Sequence, residues 1–122
     1  MREIKYRAKV LKKKNWIYRQ PFHIRGTWYM YSSLWDVVPI DFHTIRQYTG
    51  SEDVNGNEIY EGDIVKYEVS SGVTKKGTIT FDGGCFGTKF WYLDEMKKIE
   101  VVGNDVDNPK MLAKMLEGET YV

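Results

Sequence analysis

Short β-prone runs separated by turn signals fill most of the sequence and constrain its fold more than any other feature. From Ile4 to Val10, apolar residues alternate with basic ones, which is the period of a strand with one buried face. Asn55 and Gly56 form a strong turn signal because both tolerate positive φ. Further strands are predicted at residues 16–18, 27–31, 34–38, 64–69, 78–81, 88–93 and 99–102. Such a series predicts a small SH3-like barrel or a curled antiparallel sheet.

Only the carboxyl end has the pattern of a clear helix. Asn108 is a good N-cap and Pro109 suits the first helical position. Gly118 is expected to end the helix. The apolar residues at helical spacing between them are Met111, Leu112, Met115 and Leu116. A short helix is marginal without packing, so we expect this one to dock on the protein's own sheet.

The length of 122 residues fits one domain with one ordinary core. We predict a mainly β single domain, with a basic aromatic β extension at 1–48, an SH3-like barrel core at 49–107 and one short C-terminal α-helix at 108–118. The sequence has no apolar stretch of the kind that a signal peptide or a membrane span needs. The single cysteine, Cys85, fits a reducing compartment. We therefore expect a soluble intracellular protein.

Charge is polarised along the chain, although the formal net charge is only +1. Residues 1–20 hold eight basic side chains and one acidic side chain, a balance of +7, and the remainder carries −6. Such polarity can steer a partner or orient self-association. The alternative is that the run Lys12-Lys13-Lys14 is simply a solvated turn.

The sequence offers little support for catalysis. Cys85 would need a base to form a thiolate, and the only histidines, His23 and His43, lie in poorly patterned segments. We interpret Cys85 as a small buried residue at a bulge or tight bend between glycines. His and Cys residues show no paired zinc-type spacing, and no phosphate-loop signature follows the glycines. We therefore predict a protein that is not an enzyme and that has no cofactor and no metal.

Binding is the function class that the composition favours, because Trp, Tyr and Arg are residues that anchor interfaces. Trp28 and Tyr29 point to opposite faces of a strand, so one of them should be exposed or covered by another chain. The alternative is that both rings are buried in a two-sided core, in which residues 27–38 lie under another layer of the protein. The predicted binding residues are Lys12, Lys13, Lys14, Trp16, Tyr18, Arg19, Trp28, Tyr29, Tyr31 and Trp35.

Three classes of partner remain open at this point. A host protein fits the dense rings, and single-stranded nucleic acid fits a basic hairpin in which rings alternate with cations. A near-neutral chain argues against nucleic acid. A small nucleotide-like signal held between aromatic walls is the third alternative. A membrane partner is not expected, and a homo-oligomer remains open.

Three blocks of sequence occur in order: MREIKYRA at 1–8, QYTG at 47–50 with NGNEIYEGDIV at 55–65, and IEVVGN at 99–104 with Asn-Pro at 108–109. Together they resemble the YopX family of phage and prophage proteins. The resemblance implies a phage origin, a host-cytoplasmic setting and a small β barrel with an SH3-like element, and it transfers no catalytic residue.

Two departures from the family limit what can be carried over. Lys9-Val10 stands where family members often carry a Trp and an acid, and residues 11–45 match no family block. That stretch is where we expect this protein's own specificity. We expect a phage accessory protein that binds a host macromolecule, in host takeover or counter-defence, in the cytoplasm of the bacterial cell.

Overall fold

The structure, a computed structural model, describes residues 5–82, 84–88 and 91–119, with side chains described as far as residue 114. Strands dominate, and one short helix lies at the carboxyl end. The predicted mainly β class with curled antiparallel sheet is confirmed. The chain divides into two compact units, Met1–Tyr48 (unit 1) and Thr49–Val122 (unit 2).

Unit 1 is built from short antiparallel strands and one 3-10 turn. Strand β1 pairs with β2 on one side and with the first residues of β6 on the other. Strands β3, β4 and β5 form a three-stranded antiparallel sheet in that order. The elements are β1 Tyr6–Lys9, β2 Trp16–Ile17, β3 Phe22–Ile24, β4 Thr27–Tyr31, β5 Val37–Pro39, the 3-10 turn Phe42–Thr44, and the start of β6 Arg46–Glu52.

The β3–β4 hairpin is closed by Arg25 and Gly26, which both have positive φ, at 48° and 87°. These two residues lie between the paired residues Ile24 and Thr27. Positive φ at both central residues is the requirement of the tight turn that matches strand twist, and glycine meets it without steric cost. The turn therefore fixes the register of the sheet.

The sequence allowed residues 41–46 to be either one helical turn or irregular chain. The structure places the 3-10 turn Phe42–Thr44 there. The hydroxyl of Thr44 accepts a hydrogen bond from Lys9 N at 2.9 Å and donates one to Asp41 O at 2.7 Å. The Thr44 hydroxyl thus provides a hydrogen-bond partner for the backbone N–H of Lys9 in β1, at the point where the 3-10 turn interrupts the neighbouring strand. The core of unit 1 consists of Ala8, Met30 and Ile40, with Tyr6, Ile17, Trp28 and Ile45 packed against them.

Unit 2 has a three-stranded antiparallel sheet in the order β12-β8-β9 and a separate hairpin of β10 and β11. Helix α1 contacts β12 and β9, as expected for a helix that docks on its own sheet. The elements after β6 are β7 Glu58–Tyr60, β8 Asp63–Glu68, β9 Thr74–Thr78, β10 Thr80–Asp82, β11 Cys85–Gly87, a 3-10 turn Leu93–Glu95, β12 Lys97–Asn104 and α1 Pro109–Glu119. The buried core comprises Ile59, Val65, Tyr67, Val69, Ile79, Phe86 and Met96.

Several predicted boundaries are wrong. The strand predicted at 34–38 begins only at Val37, because residues 32–36 form a tight turn. The strand predicted at 78–81 is divided at Ile79 between β9 and β10. The strand predicted at 88–93 is reduced, in its described residues, to a bridge between Gly87 and Tyr92 followed by the 3-10 turn.

The helix begins at Pro109, directly after Asn108, as predicted. The carbonyl of Asn108 accepts from Leu112 N at 3.1 Å. The side chain of Asn108 accepts from Asn104 N at 3.1 Å, so it closes the preceding turn.

The helix differs from its prediction at its carboxyl end. Gly118 lies inside the helix, which continues to Glu119. Met111 and Leu112 are half-buried. The side chains of Met115 and Leu116, and the backbone of Ile4, lie outside the described residues.

Candidate functional site

The sheet β3-β4-β5 has one core-facing side and one side that we call the outer face. Trp28 and Met30 lie on the core-facing side, where Met30 is fully buried. Successive residues of a strand point to opposite sides, and residues opposite each other on paired strands share a side. The register therefore places six apolar residues on the outer face: Phe22, Ile24, Tyr29, Tyr31, Val37 and Pro39.

Rings on the outer face pack against each other and still leave apolar surface accessible. Phe22 stacks on Tyr29 with ring centroids 5.8 Å apart and lies 5.4 Å from Tyr31. Tyr31 remains 48% exposed and Ile24 54% exposed. Because the rings support each other, this surface is already formed without a partner.

One further apolar residue extends the outer face beyond β5. Leu11 N donates to Pro39 O at 2.9 Å, which places Leu11 beside the edge of β5. The side chain of Leu11 is exposed. Lys12, Lys13 and Lys14 follow directly and are all exposed, so a basic turn starts at this margin of the face.

The turn between β4 and β5, residues 32–36, is the hairpin tip. Ser32 N donates to Asp36 O at 2.8 Å, and the hydroxyl of Ser33 accepts from Asp36 N at 3.2 Å. These bonds hold the turn without using the side chains of Leu34 and Trp35. Those two side chains are 84% and 90% exposed.

The structure gathers some predicted binding residues and separates others. Tyr29 and Tyr31 lie on the outer face, Trp35 lies at the hairpin tip, and Lys12–Lys14 lie at the margin. Tyr18 and Arg19 are exposed in the segment after β2. Trp28 lies on the core-facing side, half-buried and stacked on Phe42 at 6.3 Å between centroids.

The predicted binding residues do not include Leu34 of the hairpin tip or the aliphatic residues of the outer face, which are Leu11, Ile24, Val37 and Pro39. A signal was present for Ile24, because Phe22 and Ile24 flank His23 with the period of a strand. Leu34 was predicted to be the first residue of the strand at 34–38. The turn bonds of Ser33 place it at a tip instead.

Trp16 covers two cations of β1. The guanidinium carbon of Arg7 lies 4.4 Å from the ring centroid of Trp16, and Lys9 Nζ lies 4.5 Å from it. Lys9 Nζ also donates to the carbonyl of Lys14. Arg7 and Lys9 are buried, which corrects the expectation of a β1 strand with only one buried face. The cause is the register, which sets Trp16 opposite Lys9.

Replacing Trp16 with Leu is expected to lower the free energy of unfolding by about 1–2 kcal/mol. Leucine keeps apolar cover but loses the ring face that attracts both cations. Urea unfolding followed by far-UV circular dichroism measures the loss. Trp35→Leu is the matched control, because Trp35 is almost fully exposed and should unfold at the wild-type midpoint. Equal midpoints for Trp16→Leu and wild type would contradict the assigned contact.

Cys85 does not occupy the buried position that we predicted. It is exposed at the start of β11, opposite Asp82 in the β10–β11 hairpin. It borders a shallow cavity of about 150 Å³ in unit 2, lined also by Thr80, Asp82, Gly87, Thr88, Trp91 and Tyr92.

In the described part of the chain, no group of three or more His, Cys, Asp and Glu residues is placed to hold a metal ion.

Fold and surface together define a mainly β protein of two compact units, with an apolar outer face in the first. The model of the YopX protein family matches residues 5–113, and the chain belongs to this family. The resemblance seen in the sequence is thereby confirmed. Comparison with curated proteins gives no match. Within residues 5–82, 84–88 and 91–119, no helix is long and apolar enough to cross a membrane.

Proposed function

We propose that this protein is a non-enzymatic phage accessory protein that binds a host protein in the host cytoplasm, through the outer face and the hairpin tip of unit 1. The observation that carries the proposal is the exposure of Leu34 and Trp35, at 84% and 90%. Two large apolar side chains at one turn, beside an apolar sheet face, are typical of an interaction site. The phage setting in this proposal is what the resemblance to the YopX family implies.

The hairpin tip has the properties of an interface anchor. Tryptophan is enriched among the residues that dominate binding energy, and such residues fill pockets on the partner. The hydrogen bonds of Ser32 and Ser33 fix the turn before binding. Little conformational entropy is then lost when Trp35 is buried by a partner.

Single-stranded nucleic acid is the second candidate, and the division of the chain favours it. Met1–Tyr48 holds ten basic and three acidic side chains, a formal charge of +7, so unit 1 alone is strongly basic. The near-neutral charge of the whole chain is therefore a weaker objection than the sequence suggested. The protein candidate is preferred because much of the outer face is aliphatic, and bases stack on rings.

Replacing Trp35 with Ala tests the proposed function. We expect capture of the partner from infected host lysate to fall at least tenfold, because anchor residues of this kind contribute about 2 kcal/mol or more. Quantitative mass spectrometry of proteins captured by wild type and variant measures the change.

Tyr92→Ala is the matched control for this experiment. Tyr92 is also a large exposed ring, at 56%, but it lies in unit 2. Its replacement should leave capture at the wild-type level. The proposal fails if Trp35→Ala retains every partner, or if both variants lose the same partners to the same extent.

A further inference from the structure

We propose that the surface bound by the outer face has an apolar centre bordered by carboxylates, so that the partner is an acidic protein segment. This inference rests on the proposed function and names the chemistry of its partner. Its basis is the position of the cations of unit 1 relative to the outer face.

Two cations lie next to β3 along the chain, one before the strand and one after it. Arg25 lies in the β3–β4 turn, directly after the outer-face residue Ile24, and its side chain is exposed. Arg19 is exposed and lies three residues before Phe22 in sequence. Both guanidinium groups are therefore carried by chain that leads into or out of this edge strand.

Cations also border the outer face beyond β5. The bond from Leu11 N to Pro39 O places the start of the basic turn at the edge of β5, and Lys12, Lys13 and Lys14 follow. The outer face is thus an uncharged strip with a basic turn beginning at the edge of β5 and one arginine near each end of β3 along the chain. A partner with apolar side chains between carboxylates would satisfy both parts of this surface.

The acidic side chains of unit 1 do not cancel this pattern. Between residues 5 and 48 the acids are Asp36 and Asp41. The carboxylate of Asp36 accepts from the Ser33 hydroxyl at 3.3 Å, and that of Asp41 accepts from His43 N at 3.1 Å. Both carboxylates keep their negative charge in these local turns, but the exposed cations outnumber them, so the surroundings of the outer face stay net positive. These cations are Lys12, Lys13, Lys14, Arg19 and Arg25.

The pattern favours protein over nucleic acid. A single strand needs cations spaced along the rings so that each phosphate is neutralised while its base stacks. Here the cations lie at the margins, and Ile24, Val37 and Leu11 supply aliphatic surface on which bases do not stack. A second copy of this chain is another acidic candidate, because Thr49–Val122 carries eight basic and fourteen acidic side chains.

Three fluorescein-labelled peptides provide the test. They share a centre of leucine and phenylalanine, and this centre is flanked on both sides by glutamate, by glutamine or by lysine. Fluorescence anisotropy with full-length protein is expected to show at least tenfold tighter binding of the glutamate peptide than of the glutamine peptide at low salt. The difference should shrink as salt is added, because exposed charges are screened.

Charge-removing variants assign the effect to the margins. The fivefold variant Lys12→Gln, Lys13→Gln, Lys14→Gln, Arg19→Gln and Arg25→Gln should bind the glutamate and glutamine peptides alike. The control Lys75→Gln with Lys76→Gln removes two exposed cations of β9 in unit 2 and should keep the preference. Circular dichroism confirms that each variant is folded.

The alternatives are separate outcomes of the same experiment. The inference is overturned if no peptide binds, if the glutamate and glutamine peptides bind equally, or if the fivefold variant keeps the preference. Displacement of the glutamate peptide by an oligo-dT strand at lower concentration would assign the face to nucleic acid and overturn it. Self-association reversed by the glutamate peptide, seen by light scattering, would support an acidic segment but assign it to a second copy, which contradicts the proposed host partner.

These failures are distinguishable from failure of the proposed function. Loss of capture by Trp35→Ala supports a binding role whether or not the partner is acidic. Wild-type capture by Trp35→Ala removes the binding role at the hairpin tip, whatever the peptides show.

Discussion

Replacing Asp53 with Ala is expected to lower the free energy of unfolding by about 3 kcal/mol. The carboxylate of Asp53 is buried and accepts from the backbone nitrogens of Asn55, Asn57 and Val101, each at 2.9 Å. Alanine leaves these three donors without their acceptor, and a hydrogen bond to a charged group contributes about 1.5–3 kcal/mol. The Asn55 and Asn57 amides lie in an exposed turn and can bind water, which limits the loss.

Two variants sharpen this stability prediction. Glu52→Ala removes the neighbouring carboxylate, which is exposed, and should unfold at the wild-type urea midpoint. Asp53→Asn keeps one side-chain oxygen and should fall between wild type and Asp53→Ala. A midpoint for Asp53→Ala equal to that of Glu52→Ala would show that the carboxylate does not hold β12 to the turn.

The same carboxylate makes stability depend on pH. Burial alone would raise the pKa of Asp53, but hydrogen bonds from Val101, Asn57 and Asn55 outweigh it and lower the pKa below the ordinary 3.8. A group with a lowered folded-state pKa stabilises fully above its unfolded-state value, and this stabilisation is lost as pH falls through the folded-state pKa. The gap in unfolding free energy between wild type and Asp53→Asn should therefore be constant near neutrality and narrow below about pH 4.

The sequence predicts the turn around Asp53 but not the role of its side chain. Asn55 and Gly56 indicate the turn because both tolerate positive φ, and Gly56 indeed has φ of 81°. An Asp two residues before an Asn is a recognisable turn-capping signal. The bond to Val101 spans 48 residues, and no local pattern specifies which distant strand lies against a turn.

The absence of any local signal for distant contacts also explains the wrong predictions about the surface of unit 1. Alternation located β1, and β-prone residues located β4, because both signals are local. Neither signal could show that Trp16 would cover Arg7 and Lys9. That contact depends on the pairing register of β2. Trp35 has high strand propensity, and the turn made by Ser33 overrides it.

Cys85 shows where composition misleads. Unpaired cysteines are among the most often buried residues, and flanking glycines suggested a tight bend. Cys85 instead lies at the end of a two-stranded hairpin, opposite Asp82, and its side chain is exposed. The glycines indicated a bend after Asp82, but residues 85–87 were not predicted as a strand, and the side on which the thiol lies was not predicted either.

Trp28 and Trp35 are expected to separate stability from binding. Trp28 packs against the buried cluster of Met30 and stacks on Phe42. Trp28→Ala should lower the free energy of unfolding by about 2–4 kcal/mol, since it removes a large, half-buried ring from a small core. Trp35→Ala should change it by less than about 0.5 kcal/mol, because a 90% exposed side chain has little native packing to lose.

Binding should respond in the opposite order. At a temperature and urea concentration where Trp28→Ala is still folded, it should capture the partner at the wild-type level, because Trp28 lies on the core-facing side of the sheet. Trp35→Ala should lose capture while remaining as stable as wild type. Urea unfolding and capture are measured on the same preparations. Loss of stability in Trp35→Ala would mean that the hairpin tip is packed within the protomer, and the exposed anchor on which recognition depends would not exist.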